Sequence, residues 1–240
     1  MWREKLLPVI DLKRGQVVQG VAGERACYQP VQSCLVESPH PARVAQAITN
    51  AIDVTDLYVA DLDAIGGQEP DWNSFAAISQ RGLRIWLDAG ITDPQTARQL
   101  SDRVPSGSRL IAALETLVHL RSIEKVVEEL PDSQCVFSLD LKRQVPLCRD
   151  PAASQLSAET IASYVIDAGI KSLIVLDLVA VGTNGGAMTL DLCRKIRSRF
   201  PEIELISGGG VRDWADVRAF LEAGCDRVLV STSLHNGQLI

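Results

Sequence analysis

Apolar residues gather in eight short runs along the chain, at 6–11, 56–61, 83–88, 109–114, 134–140, 172–177, 203–208 and 226–231. Each run is apolar nearly throughout instead of alternating, which is the pattern of parallel strands covered on both faces. Between them lie amphipathic stretches at 41–52, 71–80, 93–103, 119–129, 157–168, 189–199 and 212–223, spaced as helices with one buried stripe. Ser157, followed by Glu159 and Thr160, reads as a helix start, and Ala168-Gly169 and Ala223-Gly224 read as helix ends. The segment 13–40 shows neither period and is expected to be a long irregular loop after the first strand. Eight strands alternating with helices predict an α/β fold, a closed (β/α)₈ TIM barrel in one domain spanning 1–240.

A repeat strengthens this expectation. Asp11-Leu12-Lys13-Arg14 recurs as Asp140-Leu141-Lys142-Arg143, and Ala60-Asp61-Leu62 is echoed by Leu176-Asp177-Leu178. Asp88-Ala89-Gly90 corresponds to Gly208-Gly209-Gly210, and Arg109-Leu110-Ile111-Ala112 to Arg227-Val228-Leu229-Val230. Four matches in one order, offset by 116 to 129 residues, describe two duplicated half-barrels. Only ten residues follow Val230, so the last helix is expected to be missing or rudimentary. The groove it leaves would be bare, covered by the N-terminal arm, or covered by another subunit of a homo-oligomer.

Composition narrows the function without choosing it. The net charge of −6 offers no basic footprint for nucleic acid or an anionic membrane. No apolar run reaches the ~18 residues that a membrane span needs, and no secretory leader is visible, so a cytoplasmic protein is expected. The six cysteines show no ligand or disulfide spacing, and His40, His119 and His235 stand apart. Neither a metal nor another cofactor is implied.

In a barrel of this kind, polar residues at the C-terminal ends of strands enter the active site. Asp11 and Asp140 end the first and fifth runs, across the mouth from each other, and suit general acid and base work on one substrate. Each could instead cap its strand or pair with Lys13 or Lys142. Those lysines could form a Schiff base, hold phosphate, tune the aspartates or simply be solvated. Gly208-Gly209-Gly210 after the seventh run and Ser231-Thr232-Ser233 after the eighth make an amide- and hydroxyl-rich phosphate site. Asp61 and Asp177 are expected at the mouth, orienting hydroxyls. The segment from Gly182 and Thr183 to Gly186 reads as a flexible loop, either a substrate clamp or a plain connection. In the first half, Asp88 and Glu115 stand where the second half has its phosphate signature. Carboxylates there would repel an anion and attract an amine or a hydroxyl-rich group, unless a Lys or Arg ties them down.

The run Leu7-Pro8-Val9-Ile10-Asp11-Leu12-Lys13-Arg14-Gly15-Gln16-Val17-Val18 resembles the opening of the two sister barrels of histidine biosynthesis. These are the phosphoribosylformimino-aminoimidazole carboxamide ribotide isomerase and the cyclase subunit of imidazole glycerol phosphate synthase. Ser138-Leu139-Asp140, the Gly182-Thr183 loop, Ser207-Gly208-Gly209-Gly210-Val211 and the Ser231 segment are similar too, so the resemblance covers nearly the whole chain. It implies Asp11 as general base and Asp140 as general acid, with phosphate held by Gly209, Gly210, Ser231 and Thr232. Two departures mark a divergent relative, similar to the barrels found beside one-carbon coenzyme genes. Asp88-Ala89-Gly90 and Ala113-Leu114-Glu115-Thr116 replace the family's other phosphate segments, and Leu176 or Asp177 stands where the isomerase has a catalytic threonine.

The expected function is an isomerase or lyase acting on a phosphorylated small molecule through Asp11 and Asp140. The alternatives are a Schiff-base, aldolase-like lyase of coenzyme biosynthesis using Lys13 or Lys142, a non-catalytic phosphate-ligand-binding barrel, and the histidine-pathway isomerase itself.

Overall fold

A computed structural model describes residues 3–131, 134–183 and 185–240. The chain forms β1 (Leu6–Lys13), β2 (Gln16–Gln19), β3 (Gln29–Pro30), helix α1 (Pro41–Ile52), β4 (Asp56–Asp61), the short α2 (Leu62–Ile65) and α3 (Trp72–Ser79). There follow β5 (Arg84–Asp88), α4 (Pro94–Ser101), β6 (Arg109–Ala113), α5 (Ile123–Glu129), β7 (Cys135–Lys142), β8 (Val145–Pro146) and α6 (Ala158–Asp167). The last elements are β9 (Ser172–Asp177), α7 (Leu190–Arg199), β10 (Glu204–Gly208), α8 (Trp214–Glu222), β11 (Arg227–Val230) and α9 (Thr232–His235). Strands β1, β4, β5, β6, β7, β9, β10 and β11 pair in parallel, each with the next, and β11 returns to β1 through Leu6↔Val228 and Pro8↔Val230. The sheet is therefore closed. No helix among the described residues is long and apolar enough to cross a membrane.

Two apolar layers follow from the two-residue period of the strands. Leu7, Tyr58, Trp86, Ile111, Val136, Ile174, Ile206 and Leu229 fill the barrel interior. The neighbouring positions, such as Leu57, Leu87, Leu110, Phe137, Leu173 and Leu205, face outward against Val44, Phe75, Ile161 and Phe220 of the helices. Helix starts are set by side-chain caps: Asp93 accepts from Thr96 N, Ser157 from Thr160 N, and Asp213 from Ala215 N and Asp216 N. At the N-terminal end of the barrel, the Arg109 and Arg227 guanidiniums lie 4.2 and 5.2 Å from the Trp86 ring. Asp56 pairs there with Arg84 and Arg227 at 2.9 and 3.1 Å. Charge and ring together plug that end.

Two expectations need correction. The segment 13–40 is not irregular throughout, because β1 turns at Arg14 and Gly15 into β2, and β3 adds to β2, all antiparallel. Arg14 and Gly15 both have positive φ (53° and 71°), the backbone of a two-residue hairpin turn, and the second half repeats it at Arg143 and Gln144 before β8. His119 precedes a short 3₁₀ turn, Leu120–Ser122, instead of lying within a helix. The last helix is rudimentary, α9 spanning only Thr232–His235. Leu234 and Leu239 are buried there, and the long first loop reaches over them, with Cys34 N–H donating to the His235 carbonyl at 2.8 Å.

Candidate active site

A cavity of about 220 Å³ opens at the C-terminal end of the strands. Asp11, Asp88 and Asp140 enter it because each shares the parity of the inward-facing residues on its strand: Leu7 and Val9 on β1, Trp86 on β5, Val136 and Ser138 on β7. Glu115 joins them from the turn after β6. The opposite side of the cavity is lined by Gly209 and Gly210 after β10, and by Ser231, Thr232, Ser233, Asn236 and Gln238 after β11. Asp88 and Glu115 thus face an amide- and hydroxyl-rich wall across the barrel, while Asp11 on β1 stands next to that wall and opposite Asp140 on β7.

The carboxyl side is tightly bonded. Ser138 donates its hydroxyl to Asp140 Oδ1 at 2.7 Å, and the Glu115 amide approaches Asp140 Oδ2 at 3.3 Å. Tyr58 donates to Asp88 Oδ2 at 3.3 Å and Gly90 N–H to Asp88 Oδ1 at 3.2 Å. Arg25, carried in by the first loop, forms an ion pair with Glu115. Lys13 Nζ holds that loop by donating to the Arg25 carbonyl at 2.5 Å.

Burial dominates the proton affinities. It raises Asp11 from 3.8 to about 7, with Arg25 opposing the shift. Asp88 also rises to about 7, through burial and then the neighbouring Glu115. Asp140 goes well above the ordinary range, through burial and then Glu115. Desolvation followed by the Asp88 charge likewise raises Tyr58 well above 10. At neutral pH the cavity therefore holds carboxyl groups that can both give and take protons.

Against known proteins, residues 5–240 match the family described as Histidine biosynthesis protein. The chain belongs to that family. It is 30% identical over 235 residues to the uncharacterized protein MJ0703 of Methanocaldococcus jannaschii, covering 98% of this chain and 95% of that one. It is 28% identical over 235 residues to the 1-(5-phosphoribosyl)-5-((5-phosphoribosylamino)methylideneamino) imidazole-4-carboxamide isomerase of Lactiplantibacillus plantarum, covering 97% and 94% of the two chains. The isomerase of the same name from Deinococcus radiodurans is 26% identical over 238 residues, covering 98% and 95%.

Within this family barrel, most of the residues singled out by the sequence meet in one place. Asp11, Asp140, Asp88, Glu115, Gly182, Thr183, Gly209, Gly210, Ser231 and Thr232 all line the cavity. Five others do not. Asp61 and Asp177 are one residue out of phase with the inward positions, so they turn away from the mouth. Asp61 accepts from Ala64 N and Asp71 N, and Asp177 from Arg143 N, Gln144 N and Val179 N. Gly208 packs into the ladder, where an added Cβ would meet the Leu229 carbonyl at 2.5 Å. Lys13 points to the first loop and Lys142 is exposed, so a Schiff-base mechanism lacks its amine in the cavity. Since Asp177 satisfies three backbone amides without touching the cavity, Asp177→Ala should cost about 1–3 kcal/mol of stability. Phosphate binding should be unchanged, as chemical denaturation and calorimetry together would read.

The described part of the segment after β9 contacts the first loop. Ala22 N–H donates to the Val181 carbonyl at 2.7 Å, and a Cβ on Gly182 would sit 1.8 Å from the Gly20 carbonyl. Gly20 in turn lies against Asp11, where a Cβ would come within 2.9 Å of Oδ2. Asn184, inside the same segment, lies outside the described residues. Arg25, Tyr28 and Tyr58 were not legible as site residues. Tyr58 has the inward parity of β4, which could have flagged it, but nothing in the loop sequence distinguishes Arg25 or Tyr28.

Proposed function

We propose that the chain is an isomerase of a small phosphorylated substrate, binding the phosphate through Gly209, Gly210, Ser231 and Thr232 and moving protons with Asp11 and Asp140. The observation that carries this reading is one cavity in which two carboxyl groups of raised proton affinity face each other across the mouth beside a carboxylate-free, hydroxyl-rich wall. Family relatives named as isomerases of a phosphoribosyl compound support it.

Asp140, with its raised proton affinity, is the natural acid, delivering a proton to a substrate oxygen or nitrogen. Asp11, titrating near neutrality, is the natural base, removing a proton from a neighbouring carbon. One proton enters and one leaves: the electron pair of the broken C–H bond forms the new double bond, and the π pair of the adjoining C=O or C=N bond moves onto the oxygen or nitrogen that Asp140 protonates. The composition is unchanged, which is an isomerisation. Ser138 and the Glu115 amide hold the Asp140 carboxyl in place while it does this.

The phosphate wall has its own mark. The Ser233 hydroxyl is buried and has no hydrogen-bond partner among the described residues, although Ser233 lines the cavity. An orphaned buried hydroxyl is costly unless a ligand completes it. Ser233→Ala should therefore weaken binding of inorganic phosphate at least fivefold while leaving stability unchanged or slightly higher. Calorimetric titration with phosphate and a denaturant melt read both quantities. Unaltered phosphate affinity would count against this wall as the anion site.

A further inference from the structure

The two halves of the barrel place equivalent backbone around the mouth but treat it oppositely. Gly90 and Gly210 occupy matching positions with nearly the same left-handed φ, 76° and 71°. By the same alignment Asp88 corresponds to Gly208, and Glu115 to Ser233. In the second half the residue at 208 has no side chain to turn back on the Gly210 amide, and the Ser233 hydroxyl is unpartnered. In the first half the amides of Gly90 and Glu115, equivalent to those of Gly210 and Ser233, are taken from within the protein. Asp88 accepts from Gly90 N–H, Asp140 accepts from Glu115 N–H, and Glu115 engages the Arg25 guanidinium. Arg25 is the one cation among the described residues lining the cavity, which also presents four carboxyl groups, Asp11, Asp88, Glu115 and Asp140.

We infer that the pocket takes a monophosphate whose far end donates hydrogen bonds, as an amine or a hydroxyl, to Asp88 and Glu115, and that it excludes a second phosphate there. A phosphate dianion at that end would meet Glu115 and the partly ionised Asp88, with Arg25 already paired to Glu115 and the Gly90 and Glu115 amides already engaged. An amine or hydroxyl instead finds acceptors with free lone pairs on Asp88 and Glu115. Size agrees, because about 220 Å³ falls below the ~300–1,000 Å³ common for ligand pockets. The isomerases of Lactiplantibacillus plantarum and Deinococcus radiodurans are named for a compound with two phosphoribosyl groups. This chain is thereby assigned a different substrate class, of one phosphate and one donor-rich end.

The inference rests on the phosphate reading above, so the test separates the two. Inorganic phosphate, glucose 6-phosphate, glucosamine 6-phosphate and glucose 1,6-bisphosphate would be titrated into the wild-type chain and into Asp88→Asn/Glu115→Gln. Inorganic phosphate binding, weakened at least fivefold by Ser233→Ala, monitors the phosphate wall alone. The wild type should bind both monophosphates at least tenfold more tightly than the bisphosphate. The double variant, which removes two charges and frees Arg25, should gain at least tenfold for the bisphosphate and keep its inorganic phosphate affinity within threefold. That last value also confirms that the variant is folded. A wild type that binds the bisphosphate as tightly as the monophosphates overturns the inference and leaves the phosphate wall standing. A bisphosphate affinity that the double variant does not raise also overturns it. If inorganic phosphate fails to bind the wild type, the phosphate reading fails first and the inference falls with it.

Discussion

Asp140→Asn should lower the isomerisation rate at least a hundredfold while leaving the fold and phosphate binding intact. General acid catalysis contributes about 10²–10⁴ in rate, and an amide keeps the size of the carboxyl and the Ser138 bond at its one oxygen, gives up the longer bond from the Glu115 amide, and carries no transferable proton. The carboxyl is nearly fully buried and holds its proton tightly, so its loss costs the core little. Melting temperature should stay level or rise. Asp11→Asn should lose a similar factor and, in addition, abolish exchange of the substrate C–H proton with deuterated solvent, the step assigned to the base. Both readouts can be followed by proton NMR on whichever monophosphate the wild type turns over. A loss under tenfold in either variant, worth less than about 1.4 kcal/mol of transition-state stabilisation, would remove that residue from the proton path.

Stability should fall, not rise, as the pH goes from 5 to 8. Asp11 and Asp88 both have folded values near 7 against an ordinary 3.8, so between these values the folded chain binds more protons than the unfolded one. Their contribution is complete below about 4 and is lost as the pH climbs through about 7. His235 opposes them, because burial lowers it to about 4 from 6.5 and its contribution is lost as the pH falls through that range. Two carboxyl groups against one imidazole leave a net decline towards alkaline pH, to which Asp140 adds. Asp88 is the cleanest probe, being 5% exposed. A rise of about three pH units corresponds to roughly 4 kcal/mol, so Asp88→Asn should be more stable than wild type at pH 8 by a few kcal/mol and nearly equal at pH 4. Urea midpoints across this range measure the difference. Equal pH slopes in wild type and variant would refute the assignment.

The barrel was legible because its signal is long-range and redundant. Eight apolar runs and four collinear repeats agree on the strands, and α1 begins and ends at the expected residues 41 and 52. What the pattern could not resolve was phase and loop contact. Asp61 and Asp177 end their strands as Asp11 and Asp140 nearly do, yet a shift of one position sends a side chain to the other face of a sheet. Distinguishing 61 from 60 requires knowing which residues fill the barrel, and those become evident once Tyr58 and Trp86 are seen inside. Arg25 is the other failure. Its place in the cavity is set by a 27-residue connection from β1 to α1, and by partners such as Glu115 that are 90 positions away. Local periodicity holds no information about such a contact. The first loop also contains a hairpin whose strands are too short to stand out, with the turn at Arg14-Gly15 as its one sequence mark.

That first loop bears on how the molecule is made. It is held by the Val181 carbonyl at residue 22 and by the His235 carbonyl at residue 34. These bonds join positions 159 and 201 residues apart (181 − 22 and 235 − 34), and the second cannot form until residue 235 has been synthesised. The strands behind the loop can pair with their neighbours much earlier, as each emerges. Arg25 therefore settles late, and until it does Glu115 faces Asp88 and Asp140 without its counter-charge. A nascent chain with most of its strands paired would still lack a finished mouth, and residues more than two hundred positions downstream would complete a site whose first residue is Asp11.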